Sequence, residues 1–214
     1  MTLLRGRFIT LEGIEGAGKS TQRDVLRHCL LEAGIEPILT REPGGSDIAE
    51  RMRALLIDKA NRGMDVDAEL LLMFAARAEH LHKTILPALK AGHWVICDRF
   101  TDATYAYQGG GRGLDRARIA ALETFVQGSL RPDLTLLFDL PAATGLARAR
   151  GRSEPDRFES EALVFFDRVR AEYLRIADHE PERVRRVDAD RNVDHVAAEV
   201  RKIIDGYLAA IGST

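Results

Sequence analysis

Short apolar runs alternate with longer stretches of helical spacing along this chain. Phe8-Ile9-Thr10-Leu11 is apolar and ends at Glu12-Gly13, which predicts a strand running directly into a glycine-rich turn. Residues 19–33 carry Val25, Leu26, Cys29 and Leu30 at helical spacing until Gly34 stops them. Pro37 to Thr40 predicts a second strand, broken by Arg41-Glu42-Pro43-Gly44-Gly45. Helices are expected over about 46–57 and 66–90. Trp94-Val95-Ile96-Cys97 then reads as a buried strand ending on Asp98-Arg99. Short helices are expected to flank a flexible Gly109-Gly110-Gly111 segment. Leu134 to Leu140 is the clearest strand, and the helix after it leads into the charged stretch Arg148 to Arg157. A helix over 159–179, a short strand Val184 to Val187 and a closing helix Val193 to Ala210 complete the pattern. Strands alternating with helices predict a parallel sheet covered on both faces. The expected architecture is one α/β domain over residues 1–214, with a mobile arginine-rich segment at about 148–158.

Composition narrows the function classes. Of 214 residues, 45% are hydrophobic and 30% charged, as in an ordinary globular chain and unlike a disordered one. The net charge of −2 provides no global positive field, so neither nucleic acid nor an anionic membrane is an expected partner. No apolar run reaches the length of a signal or a membrane span, and the cytoplasm is the simple reading. Cys29 and Cys97 lie in apolar runs without metal-ligand spacing and should be buried thiols. The six histidines form no motif; His80 and His82, two apart, would not share a helix face. Arginine outnumbers lysine 26 to five, through coding bias or through phosphate handling, and only local clustering separates the two.

The strongest motif is Gly13-Ile14-Glu15-Gly16-Ala17-Gly18-Lys19-Ser20, followed by Thr21, which fills every fixed position of G-x-x-x-x-G-K-[ST] between a strand and a helix. Glycines let the backbone curl so that N–H groups face phosphate oxygens, and the next helix adds its positive end. Lys19 would reach the β- and γ-phosphates of ATP, and the Ser20 hydroxyl would help hold Mg²⁺. Motors, switches and kinases share this cradle. A GTPase switch should carry N-K-x-D, which the chain lacks, and no oligomerisation or nucleic-acid element of a motor is evident. A small-molecule kinase needs an acceptor site and a lid. In an open parallel sheet, ligands bind outside the carboxyl ends of the strands. Arg41–Gly45 and Asp98-Arg99 should therefore open on the same crevice. Arg99 could clamp an acceptor phosphate and Asp98 could orient Mg²⁺ or its waters. Phe74 and Arg77, three apart on a helix, could stack on a base and bond its edge.

These elements, with Asp98-Arg99-Phe100 and Thr104-Tyr105-Ala106-Tyr107-Gln108, occur in the order and spacing of bacterial thymidylate kinases, and the chain resembles that family over about residues 7–190. The resemblance implies a P-loop nucleoside monophosphate kinase fold with a five-stranded parallel sheet flanked by helices and a short lid. It implies transfer of the γ-phosphoryl of ATP to dTMP, giving dTDP and ADP with Mg²⁺ in dTTP biosynthesis, and usually a homodimer. The residue matching Phe74 stacks on thymine, Arg77 bonds its edge, and Arg99 clamps the acceptor phosphate. Glu15 lies near the sugar 3′-hydroxyl and the metal. Glu42 belongs to the acceptor segment, and Pro43 packs on the base and its methyl. Thr104 and Gln108 lie near the base, and the Tyr107 ring crowds the place of a ribose 2′-hydroxyl. The alternative is a related kinase of another nucleotide or of a deoxynucleoside. The cradle holds no arginine of its own, so Arg148, Arg150, Arg152 and Arg157 resemble the bacterial type that supplies the cation from its lid, with Arg150 and Arg152 the foremost candidates. The second Asp-Arg-Phe triplet, at 156–158, reads as coincidence.

Overall fold

A computed structural model of the chain describes residues 6–150, 156–159 and 161–212. Five parallel strands form one sheet: β1 (Phe8–Glu12), β2 (Ile38–Arg41), β3 (Val95–Asp98), β4 (Leu134–Asp139) and β5 (Val184–Asp188). Their spatial order is β2-β3-β1-β4-β5. The inner strands β1, β3 and β4 are buried along almost their whole length, as strands covered on both faces must be. The edge strands β2 and β5 break this pattern with exposed residues, because one side of each meets water. Inside the sheet the facing hydroxyls of Thr10 and Thr135 hydrogen-bond each other at 2.7 Å, which satisfies two polar groups that burial would otherwise strand.

Helices α1 (Lys19–Glu32), α8 (Leu163–His179) and α9 (Val193–Gly212) close the larger core against β1, β4 and β5. On the other side, Phe8, Val95, Cys97 and Phe100 pack with Leu81, Ile85 and Ala88. Both cysteines are buried and free. The chain leaves β1 toward one half of the sheet and returns through β4 to the other, so the reversal of strand order falls at β1. The loops after β1, β2 and β3 gather over that point.

The helix expected over 66–90 runs without a break, but in three parts. These are α3 (Val66–His80), a π-helical turn Leu81–Ile85 and α4 (Leu86–Lys90). Pro87 lacks the N–H for an ordinary helical bond, and the widened turn ahead of it absorbs the mismatch. The helix expected from 159 starts at Leu163 instead, because the Asp156 carboxylate accepts the N–H groups of Phe158 and Glu159 and folds that stretch as a turn. Helices α2 (Asp47–Ile57), α6 (Arg116–Gln127) and α7 (Ala142–Arg150) complete the scaffold around the crevice.

Gly109-Gly110-Gly111 is not the flexible break expected. Helix α5 (Thr101–Thr104) continues into a π-helical segment Tyr105–Gly111 that includes all three glycines. Gly110 and Gly111 lie against α8, where a Cβ on Gly110 would sit 2.8 Å from Glu172 Cβ and 2.9 Å from the Arg168 carbonyl, and Gly109 lies against Ile119 of α6. Gly110→Ala should therefore destabilise the protein by about 1–3 kcal/mol through overpacking. The urea midpoint of unfolding measures it, and an unchanged midpoint would mean that α8 is not tightly seated.

Candidate active site

The loop from Gly13 to Gly18 needs backbone angles that only glycine adopts without cost. Gly13, Gly16 and Gly18 have φ of 131°, 73° and 83°. Gly16 also faces the backbone of Gly145 on α7 with no room for a Cβ. Gly18 precedes α1 in a left-handed conformation, and no side chain caps the helix. The first N–H groups of α1 are thus available to an anion, as at other helix N-termini that bind phosphate. Lys19 folds back over the loop, its Nζ donating to the carbonyls of Gly13 and Ile14 at 2.9 Å each. Burial first, and the Arg99 guanidinium second, push its pKa down to about 8.

Arg99 is the one described non-glycine residue with a positive φ, 68°. A left-handed arginine is strained, and neighbouring bonds hold it in place. Its N–H donates to the Leu11 carbonyl, and the next N–H, of Phe100, donates to Glu12 Oε1 at 2.7 Å. Glu12 is fully buried, and Oε2 accepts the Tyr173 hydroxyl. The Arg99 guanidinium donates through Nη2 to Glu15 Oε1 and to the Tyr107 hydroxyl, each at 2.8 Å, and that hydroxyl donates to Glu15 Oε2. Burial alone would raise the Glu15 carboxyl, but Arg99, Lys19 and the Tyr107 hydroxyl together hold it below its ordinary value. Nη2 of Arg99 also reaches the Gly13 carbonyl at 3.4 Å, the oxygen that accepts from Lys19. Two cations thus converge at the mouth of the cradle. The buried Oδ1 of Asp98, the preceding residue, has no hydrogen-bond partner, and it is a ready acceptor for the water shell of a cation.

Next to Arg99 a cleft opens between α2, α3 and the segment after β3. Glu15, Glu42, Pro43, Arg77, Arg99, Thr104, Tyr107 and Gln108 all line it, so the sheet brings together residues up to ninety-odd positions apart. Arg77 closes one end, with Nε on Glu42 Oε2 at 2.7 Å and Nη2 on Thr104 Oγ1 at 2.9 Å. Its Nη1 is buried without a partner. Both oxygens of Glu42 are occupied, since His80 Nδ1 lies 3.1 Å from Oε1 and Thr40 fixes the other ring nitrogen. Glu42 therefore acts here by holding Arg77.

One expected contact is displaced. Phe74 is buried against Leu70 and Ile119, beneath Arg77 rather than in the cleft, and Met73 lines the cleft instead. Residues three and four apart from Arg77 both neighbour it on a helix, and α6 takes the Phe74 face. Arg53, Phe100, Asp156 and Phe158 also line the cleft, although the sequence singled out none of them for it. Arg53 and Ile57 are four apart on α2 and both reach the cleft, a spacing that could have flagged Arg53. Burial, then Arg41 and Arg99, lower the Arg53 pKa, as expected where cations gather to meet an anion. Of the four arginines near the lid, Arg148 donates to the Ala189 carbonyl, and Arg157 is buried, donating to the Leu56 carbonyl and pairing with Glu69. Arg150 is exposed at the end of α7, and Arg152 lies outside the described residues. Asp156 and Phe158 of the second triplet line the cleft, while Arg157 between them is tied to Leu56 and Glu69. Among the described residues no cluster of three metal-ligating side chains occurs.

The family model described as Thymidylate kinase matches residues 11–200. A thymidylate kinase of Pseudomonas syringae pv. tomato is 59% identical over 205 residues, which cover 96% of this chain and 98% of the relative. One of Alkalilimnicola ehrlichii is 57% identical over 203 residues, 94% of each chain. The crystal structure of thymidylate kinase from Ehrlichia chaffeensis superposes with a TM-score of 0.76 at 35% identity, covering 94% of this chain and 98% of that one.

The Glu12 carboxyl gives this geometry a pH signature. Burial first, then the Asp102 charge, raise its pKa from 4.5 to about 8. The folded protein holds a proton there that the unfolded chain has released, so this contribution to stability is complete below about pH 4.5 and disappears as pH rises through 8. Glu12→Gln should therefore lose less stability than the wild type between pH 5 and pH 8, by on the order of a kcal/mol or more. Urea unfolding at the two pH values tests it, and parallel losses in both proteins would refute the buried proton.

Proposed function

The chain belongs to the thymidylate kinase family and transfers the γ-phosphoryl group of ATP to dTMP, giving dTDP and ADP; we propose that it does so by gathering cations around the two substrates, with no general base. The observation that carries this mechanism is the convergence of Lys19 and Arg99 on the Gly13 carbonyl, where the donor cradle meets the acceptor cleft. The acceptor atom is a phosphate oxygen, and the second pKa of a phosphomonoester, near ~6, leaves it largely ionised at neutral pH. The obstacle is the mutual repulsion of two polyanions, so catalysis consists of positioning and charge compensation.

In this reading the backbone from Gly13 to Ser20, with Thr21 behind it, holds the ATP phosphates, and Lys19 leaves the loop carbonyls for the β- and γ-phosphates. Arg99 and Arg53 clamp the dTMP phosphate. Pro43, Met73 and Phe100 provide apolar surface for the thymine, and the Nη1 donor of Arg77 meets its O4. Tyr107, its hydroxyl committed to Glu15 and Arg99, fills the space a 2′-hydroxyl would need. Ser20 and the unpaired oxygen of Asp98 suit a Mg²⁺ bound mainly by phosphates and water, which would neutralise charge on the phosphoryl oxygens. Exposed Leu71 on α3 and Phe125 on α6 suit a homodimer, and the nucleotide pools of the cytoplasm are where such an enzyme would act.

Two experiments test this reading. A panel of monophosphates with ATP should show dTMP ahead of dUMP by about 10- to 200-fold, the worth of one methyl in an apolar pocket, with dCMP and purine nucleotides far behind. A preference for GMP, AMP or CMP would refute the acceptor assignment. The second concerns the lid. Arg148 and Arg157 are committed to other partners, and Arg150, exposed at the end of α7, and Arg152, the other foremost candidate of the sequence, are the arginines to change. Arg150→Ala or Arg152→Ala should lower kcat more than about tenfold with dTMP affinity nearly intact, since the contact forms mainly in the transition state. Wild-type kcat in both variants and in the double variant would exclude a lid arginine from the chemistry.

A further inference from the structure

Glu69 on α3 does not line the cleft, yet three side chains converge on it. Its side chain is 1% exposed. Gln108 Nε2 donates to Oε1 at 2.8 Å, Arg112 reaches both oxygens at 3.3 Å, and Arg157 Nη2 lies 2.7 Å from Oε2. Between two guanidinium groups Glu69 is a carboxylate, and a carboxylate only accepts hydrogen bonds. It can therefore take the nitrogen end of the Gln108 amide and not the oxygen end. Gln108 is itself 1% exposed and lines the cleft beside Arg77 and Thr104. With its nitrogen held on Glu69, a planar amide has its oxygen left to offer the ligand.

From this geometry we infer that Glu69 is a specificity-determining positioning residue, which fixes the Gln108 amide so that the cleft accepts a base edge carrying an N–H donor and rejects one carrying an acceptor. This inference rests on the reading of the cleft as the dTMP site. Thymine presents O4 as acceptor and N3–H as donor, while cytosine presents an N4 amino donor and a bare N3 acceptor. The free Arg77 Nη1 donor and the Gln108 oxygen form the complement of thymine and meet cytosine like to like at both positions. Without Glu69 the amide could rotate by a half-turn and offer cytosine N3 a donor, so half of the discrimination depends on a residue that touches no substrate.

Steady-state kcat/KM for dTMP and dCMP, with ATP saturating, tests this in the wild type, Glu69→Gln, Gln108→Leu and the double variant. Glu69→Gln should narrow the dTMP:dCMP ratio by about tenfold or more, the worth of one oriented hydrogen bond in a buried site, and should act mainly through KM for dTMP. In the Gln108→Leu background it should change the ratio no further. Glu69→Asp keeps the charge between the two arginines but shortens the reach to Gln108. It should narrow the ratio as well, and it serves if the glutamine variant fails to fold. A wild-type ratio in whichever variant folds would overturn the proposal, and so would the same narrowing with Gln108 already removed, because a merely structural role does not act through that amide. If the wild type itself does not favour dTMP over dCMP, the acceptor reading fails instead.

Discussion

A guanidinium or ammonium group taken out of water without a counter-charge costs several kcal/mol, more than one residue's packing returns. The site nevertheless needs such groups half-buried and aimed at one crevice before any anion arrives. The fold meets this constraint with carboxylates placed behind the cations. Glu15 holds Arg99, Glu42 holds Arg77, and Glu69 holds Arg112 and Arg157. The pairs joined by directed hydrogen bonds, Arg99 with Glu15 and Arg77 with Glu42, also fix a geometry, because such bonds leave the cation little freedom. Preorganisation and solvation are therefore provided by the same residues.

These pairs will not respond alike when ligand binds. Arg99 shares Glu15 with the Tyr107 hydroxyl and keeps a buried Nε without a partner, so it has a hydrogen-bonding group in reserve for a phosphate. Arg77 has Nε and Nη2 occupied and one nitrogen free, which suits a single bond to a neutral carbonyl. Lys19 has only backbone carbonyls to leave, and its lowered pKa indicates how poorly they replace an anion. The strained Arg99 backbone, fixed through Glu12 and Phe100, adds a rigid corner between the cradle and the cleft.

Much of this was legible in the sequence. All five strands, the glycine cradle and the acceptor segments lie where apolar runs and turn residues place them, because those signals are local. What was missed depended on tertiary neighbours. Three consecutive glycines have the look of a break, and only the approach of α8 and α6 shows why they are small. Phe74 and Met73 are equally good helical neighbours of Arg77, and the presence of α6 decides which ring is buried and which side chain meets the cleft. His80 gave no signal, since its role is to fix Glu42 from a buried position that no spacing rule marks.

Around the arginine-rich segment, anchoring separates residues that composition cannot. Four arginines between 148 and 157 look interchangeable as sequence, but two of them are committed. Arg148 ties the end of α7 to the loop after β5 through the Ala189 carbonyl. Arg157 ties the far side to α2 through the Leu56 carbonyl and to α3 through Glu69. Arg148 and Arg157 are thus each tied to elements that frame the crevice, and Arg157 shares Glu69 with the Gln108 amide. A net charge of −2 says nothing of this, because the cations are gathered locally and each is held by a carboxylate or carbonyl.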